Sequence, residues 1–258
     1  MVNFVNVILL AAAAVTVSAE EAPAAPAAAN TEFRKSFPKP SGIATPLRSP
    51  MKIAAGQSFD GKMQLYDRSS DTCKGQSEGG DDDAVFILAE GATLSNVVIG
   101  PKNGEGVHCM GTCTINNVWW TKVCEDALTL KQKSGISYVN GGGAKGAKDK
   151  VIQHNGGGTI KVKNFYAEDI GKLYRSCGNC APTVKNRHSE FTNVYVNGGK
   201  IIAGVNGNFG DTTKITGSCI KGGAVCNLFK GVSKGKEPSK TASVPDGKTC
   251  STAGPSTC

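Results

Sequence analysis

The chain has 258 residues, 33 of them glycine, with only 6% aromatic side chains and a formal net charge of +8. That length supports one domain with a sizeable core, and the Gly-rich, aromatic-poor mix suits short strands and tight turns rather than a helical bundle. The charge favours an acidic partner, but Lys and Arg are dispersed with no block of five or more, so a nucleic-acid-binding tail is not indicated.

In chain order, residues 1–19 read as a secretory leader. Val7 to Val17 is an apolar core, and Val17-Ser18-Ala19 is a small-residue cleavage site before Glu20, although the first residues lack Lys and Arg. The run is too short for a membrane anchor. Export agrees with ten cysteines, at 73, 109, 113, 124, 177, 180, 219, 226, 250 and 258. Their spacing leaves the pairing open. No Asn-x-Ser/Thr sequon occurs. Residues 20–42 are Ala/Pro/Glu-rich and aperiodic, and read as a flexible N-terminus, with order beginning near Ile43. The acidic run from Glu78 to Asp83 reads as a solvated loop.

A weak repeat follows. Leu94-Ser95-Asn96-Val97, Ile115-Asn116-Asn117-Val118 and Ile136-Ser137-Tyr138-Val139 are spaced 21 residues apart. Val162-Lys163-Asn164-Phe165, Phe191-Thr192-Asn193-Val194 and Ile215-Thr216-Gly217-Ser218 follow at 26, 29 and 24. A unit this small cannot bury its own apolar face, so successive units must stack. The expected fold is all-β: one parallel β-helix over residues 43–232, with inward Val, Ile and Leu ladders. Asn at one position of four coils predicts a polar ladder at a turn, where Asn tolerates left-handed geometry. A β-sandwich is the alternative, but its usual strand repeat is shorter. Residues 233–258 lose the pattern and read as a loosely structured tail, closed by a Cys250–Cys258 bridge.

Four polar clusters fall in successive repeats: Gly104-Glu105-Gly106-Val107-His108, Glu125-Asp126, Lys148-Asp149-Lys150 and Gly171-Lys172-Leu173-Tyr174-Arg175. Matching positions of stacked coils lie roughly 4.8 Å apart. Acids on two coils beside cations on two coils therefore form a stripe up one face. Adjacent strand residues point to opposite faces, so Glu125 and Asp126 within the apolar run 119–131 mark a bend where both reach one hard cation. Glu105, Glu125 and Asp126 offer oxygens for Ca²⁺. Lys150, Lys172 and Arg175 are cations that a bound anion would neutralise. A salt-bridged outer face is the competing account, worth little per pair.

Those residues carry a resemblance. "WWTKVCEDALTLK", "AKDKVIQHNGGGTIKVKNF" and "EDIGKLYRSCGNC" resemble the small secreted microbial pectate lyases of polysaccharide lyase family three, and "GEGVHC" and "GQSEGG" resemble that family's upstream segments. The match spans about residues 45–225. It implies a right-handed parallel β-helix and Ca²⁺-dependent cleavage of polygalacturonate by β-elimination. It places the calcium carboxylates on Glu105, Glu125 and Asp126, and an accessory carboxylate of the substrate cleft on Glu78. Catalytic and substrate-binding cations fall on Lys131, Lys150, Lys172 and Arg175, with Asp149 beside them. One departure is Glu105, where the family often has Asp. The expected protein is a secreted monomer whose partner is pectate of plant cell walls, with no nucleic acid and no membrane.

The chemistry agrees. A base removes the C5 proton α to a carboxylate, charge builds on that carboxylate, and the 4-linked oxygen leaves. A hydrolase instead needs an acid and a base flanking the bond, whereas here the acids cluster opposite cations. Lys150 is the expected base, with Arg175 neutralising the substrate carboxylate; the exchanged roles stay open. Strand alternation turns Asp149 away from Lys150. An inactive pectate-binding relative and a polygalacturonase of the same architecture are the competing functions. Cys177-Gly178-Asn179-Cys180 lacks a second CxxC and reads as a structural disulfide. Trp119 and Trp120 should face opposite ways, with core packing favoured for each. Of the three histidines only His108, next to Glu105, invites a test.

Overall fold

The structure, a computed structural model, describes Met1, residues 31–254 and Cys258. The leader reading at 1–19 and the stretch to residue 30 otherwise lie outside the described residues. Short β-prone segments broken by Gly-rich turns stack into three ladders of parallel strands, forming a parallel β-helix.

The first ladder runs Met51–Ile53, Phe86–Leu88, Val107–Cys109, Leu128–Leu130 and Lys150–His154, and continues through residues 172–176, 201–206 and 224–230. The second uses the leading halves of longer strands, then Thr159–Lys163, His188–Thr192, Thr212–Thr216 and Cys250–Ala253. The third uses the trailing halves and ends on Cys219–Lys221. Many strands therefore bend between two faces.

Each ladder turns an apolar row inward. Leu94, Ile115, Val139, Val162, Phe191 and Ile215 are register partners on the second face. Ile99, Trp120, Ala144, Ala167, Val196 and Ile220 are partners on the third, where two alanines follow the bulk of Trp120. All are buried, and each large one contributes about 1.5–3 kcal/mol of apolar transfer. Trp119 points the opposite way. It packs with Val98 and Tyr166 outside the helix and donates from Nε1 to Asn117 Oδ1 at 2.8 Å.

Five of the six predicted repeats align as read. The third does not: the partner of Ile115 is Val139, not Ile136, which is 40% exposed. The coil is three residues longer than the 21-residue spacing implied. The asparagine ladder stands where expected. Asn96, Asn117, Asn164 and Asn193 all have φ between 53° and 58°. Asn117 donates to Asn96 at 2.9 Å and Asn193 to Asn164 at 2.7 Å.

Both ends are more structured than expected. Phe37, placed in the flexible segment, packs edge-on against Trp119 with centroids 5.2 Å apart, so packing begins before Ile43. The tail contains strands Ser239–Ala242, antiparallel to residues 228–230, and Cys250–Ala253, which extends the second ladder. The expected Cys250–Cys258 bridge is absent: Cys250 pairs with Cys226 and Cys258 with Cys219. A terminal coil with an open edge gains more from being tied to the preceding coils than from a local loop closure. Cys73–Cys124, Cys109–Cys113 and Cys177–Cys180 complete the set, the last being a disulfide as read.

Candidate active site

Val107, Leu128, Ile152 and Tyr174 are successive partners in the first ladder. The residues two before each are Glu105, Asp126, Lys150 and Lys172, so two acids and two lysines stand at one level of four consecutive coils. Glu125 precedes Asp126 at the bend into its strand. The turn before Val107 is tight. Gly106 has φ +47°, and a Cβ there would lie 2.2 Å from Ala127 O and 2.8 Å from Trp120 Nε1. The coils thus close down on one another directly beneath the acids.

Ligand oxygens of Glu105, Glu125 and Asp126 lie within 4.8 Å of one another, and all three residues are buried. Glu125 Oε2 and Asp126 Oδ1 are buried without a hydrogen-bond donor. Burial, and then the neighbouring acids Glu125 and Glu105, push the Asp126 carboxyl well above its ordinary range against the pull of Lys150. Crowded, desolvated carboxylates with orphaned oxygens are what an oxygen-seeking divalent cation satisfies, so the three residues fit Ca²⁺. The longer Glu105 side chain does not keep it out of the cluster. Its Oε1 accepts from Gly79 N at 2.8 Å, and its Oε2 lies 3.1 Å from His108 Nε2.

Lys150 is the hub. Its Nζ lies 2.8 Å from Glu125, 3.2 Å from Asp149, 3.6 Å from Asp126 and 4.0 Å from Glu78. Burial alone would lower its pKa, but Asp126 and Glu125 reverse the effect and hold it above the ordinary lysine value. Asp149 was expected to face away. It instead accepts from both Lys150 and Lys172, because it sits in the turn before the strand begins at Lys150, where alternation does not apply. Arg175, three residues along the same strand from Lys172, is pushed down to about 10 by burial and by the charge of Arg187. Glu78, Asp149, Lys150, Gln153, Lys172 and Arg175 line one cleft of about 340 Å³.

Lys131 stands apart from that group. Its Nζ pairs with Asp81 Oδ1 at 2.5 Å, and His108 Nδ1 contacts the same oxygen at 2.7 Å. The acidic run is therefore not a free loop. The Cys73–Cys124 disulfide pins its approach to the residue before Glu125, and Gln76 donates to Cys124 O at 2.6 Å. Sequence reasoning missed Asp81 for that reason: the pairing of Cys73 was the signal, and spacing left it open. It also missed Phe229 and the tail residues Glu237 and Pro238, which form part of the cleft wall.

Comparison with known proteins decides the family. The Pectate lyase family model matches residues 34–236. The chain belongs to the pectate lyase family. It is 49% identical over 221 residues to a probable pectate lyase G of Emericella nidulans, covering 84% of this chain and 85% of that one. It is 49% identical to pectate lyase E of the same fungus, covering 83% and 84%. The catalytic domain of pectate lyase PelI from Erwinia chrysanthemi superposes with a TM-score of 0.68 at 33% identity, covering 81% of this chain and 97% of that one. PelI in complex with tetragalacturonic acid gives 0.64 at 34%, covering 81% and 68%. Membership of this family makes pectate lyase the activity of the chain, and neither the inactive relative nor the polygalacturonase is supported.

Proposed function

We propose that the chain is a secreted, Ca²⁺-dependent lyase acting on de-esterified polygalacturonate, working as a monomer. The observation that carries this reading is the register of Glu105, Asp126, Lys150 and Lys172 on four consecutive coils, acids on one side and cations on the other. Five disulfides among the described residues support an oxidising, extracellular setting.

Glu105, Glu125 and Asp126 would hold the ion. Bound there, Ca²⁺ would draw charge from a substrate carboxylate and offset the acids that now hold the Lys150 proton. Lys150 Nζ takes the C5 proton of a galacturonate. The C5–H pair becomes the C4–C5 double bond, the C4–O bond breaks, and the departing oxygen is protonated from solvent. The Arg175 guanidinium binds the carboxylate of that sugar and stabilises its growing negative charge. Lys172 and Lys131 hold carboxylates of neighbouring sugars. Glu78 and Asp149 line the cleft and keep Lys150 and Lys172 aimed into it. Methyl esters remove the carboxylates that these cations recognise, so esterified pectin is the poorer substrate.

The mass of the products tests this reading. Elimination gives one new end lighter by a water than the end hydrolysis would leave. A product set with only saturated ends contradicts it.

A further inference from the structure

Arg175 is held by contacts that none of its neighbours in the stripe possess, and they come from coils beyond it. Its partner on the next coil is Gly204, and the one after that is Asn227. Because Gly204 has no side chain, Arg175 lies flat across it and reaches Phe229, whose ring centroid is 4.0 Å from the guanidinium carbon. A Cβ on Gly204 would come within 2.9 Å of Arg175 Cδ and 3.1 Å of Phe229 Cε2. A Cβ on Gly178 would come within 2.7 Å of Arg175 Nη2 and 2.9 Å of Asn206 Oδ1. Nη1 donates to Ser176 O at 2.6 Å and to Asn206 Oδ1 at 3.0 Å. Asn206 is fixed in turn: its Nδ2 donates to Asp211 Oδ2 at 3.0 Å, and Asp211 is paired at 2.9 Å with the fully buried Arg187.

We infer that Phe229, Gly204 and Asn206 are positioning residues that clamp the Arg175 guanidinium so that its Nε–Nη2 edge is presented to a substrate carboxylate. Nη1 is consumed by the protein. Among the described residues neither Nε nor Nη2 makes a hydrogen bond, and these two donors form the side-on fork that grips a carboxylate through both oxygens. The ring fixes the plane of the fork, and Asn206 fixes its rotation within that plane. The inference rests on the reading of Arg175 as the carboxylate-binding cation, but the clamp is a property of the folded protein that can be measured without substrate.

The test compares Phe229→Leu, Phe229→Tyr and Gly204→Ala with the wild type. Kinetics are run on polygalacturonate with Ca²⁺. The Arg175 Nε–H resonance, assigned by its loss in Arg175→Lys, is read in the free protein. Phe229→Leu removes the flat ring and lowers kcat roughly 5- to 30-fold with KM within about threefold, since a stacked cation contributes about 1–2 kcal/mol. Phe229→Tyr restores kcat, Gly204→Ala reproduces the loss, and thermal midpoints stay close to wild type. The Nε–H signal carries a ring-current shift that Phe229→Leu abolishes. A wild-type kcat in Phe229→Leu, or an Nε–H signal that Phe229→Leu leaves at its wild-type position, overturns the clamp, as does a loss that Phe229→Tyr fails to restore. If the signal depends on Phe229 as stated but the wild type makes no unsaturated product, the clamp stands and the lyase reading of the site fails.

Discussion

Lys150 Nζ lies 2.8 Å from Glu125 Oε1, on the neighbouring coil of the solenoid. The proposed base and the proposed calcium ligands thus share one buried point, and each state of the site must balance charge there. Without an ion, Lys150 neutralises the acids. With an ion, the acids have another partner, and burial acts on Lys150 against only the remaining pull of Asp149 and Glu78.

That relationship predicts calcium-dependent stability. Ion binding at 100 times its Kd adds about 2.7 kcal/mol, which raises the thermal midpoint of a domain this size roughly 5–10 °C. Asp126→Asn should lose most of that rise while folding at least as well as wild type without Ca²⁺, because a crowded carboxylate has been removed. Scanning calorimetry with Ca²⁺ and with chelator checks this. An unchanged Ca²⁺ shift in Asp126→Asn removes that residue from the ion site.

Lys150→Ala and Arg175→Lys separate the base from the anchor. Loss of a general base costs about 10²–10⁴ in kcat, so Lys150→Ala should fall by that much. Lys150→Ala should also be less stable in chelator, since buried acids lose their cation, and Ca²⁺ should restore the difference. Near-normal turnover in Lys150→Ala with a dead Arg175→Lys would exchange the two roles.

Asp81 holds Lys131 at 2.5 Å, and hydrogen bonding from that lysine keeps the Asp81 carboxyl below its ordinary range. Substrate must compete with Asp81 for the ammonium. Both side chains are partly exposed, so the pair is worth about 0.2–1 kcal/mol. Asp81→Asn should lower KM by up to about fivefold with kcat unchanged, and Lys131→Ala should raise KM. Steady-state kinetics on polygalacturonate decide it; a KM that rises in Asp81→Asn means that Asp81 orients Lys131 instead.

His154 predicts an acid limit. Burial pushes it down to about 4, with Nε2 near Gly157 O at 3.1 Å and Nδ1 near Tyr174 Oη at 2.9 Å. The folded pKa is depressed below the unfolded value, so the unfolded chain binds the extra proton between pH 6.5 and 4. Stability is full above about 6.5 and is lost as pH falls toward 4, by about 3 kcal/mol. Denaturant titrations across that range should show the decline, and His154→Gln should flatten it.

Much of this was legible in the sequence, for a physical reason. A solenoid repeats one local rule, so Leu94, Ile115, Val162 and Phe191 betray their common register through period and the Asn that follows, and Ile215 through period with Gly217 in the place of that Asn. The rule failed at Ile136, where the coil lengthens and Gly141, at φ +68°, takes the place of the left-handed asparagine. The acid and cation stripe was legible because it is written at one position per coil. Asp81, Phe229 and Glu237 were not, because none lies in the six recognised repeats: Asp81 sits beside Lys131, and Phe229 and Glu237 line the cleft from beyond the last of them. A disulfide brings the first and the terminal coils bring the others, and spacing encodes neither.

Elimination should require an ion held by Glu105, Glu125 and Asp126. That requirement is tested most directly by following the ultraviolet absorbance of the conjugated unsaturated uronate while the protein acts on polygalacturonate, first in chelator and then after excess Ca²⁺. The expected result is a flat trace in chelator, a linear rise on adding Ca²⁺, and no rise at any Ca²⁺ level with Lys150→Ala beyond the residual expected of a missing base. A rise of equal slope in chelator, or new reducing ends without absorbance, would contradict it.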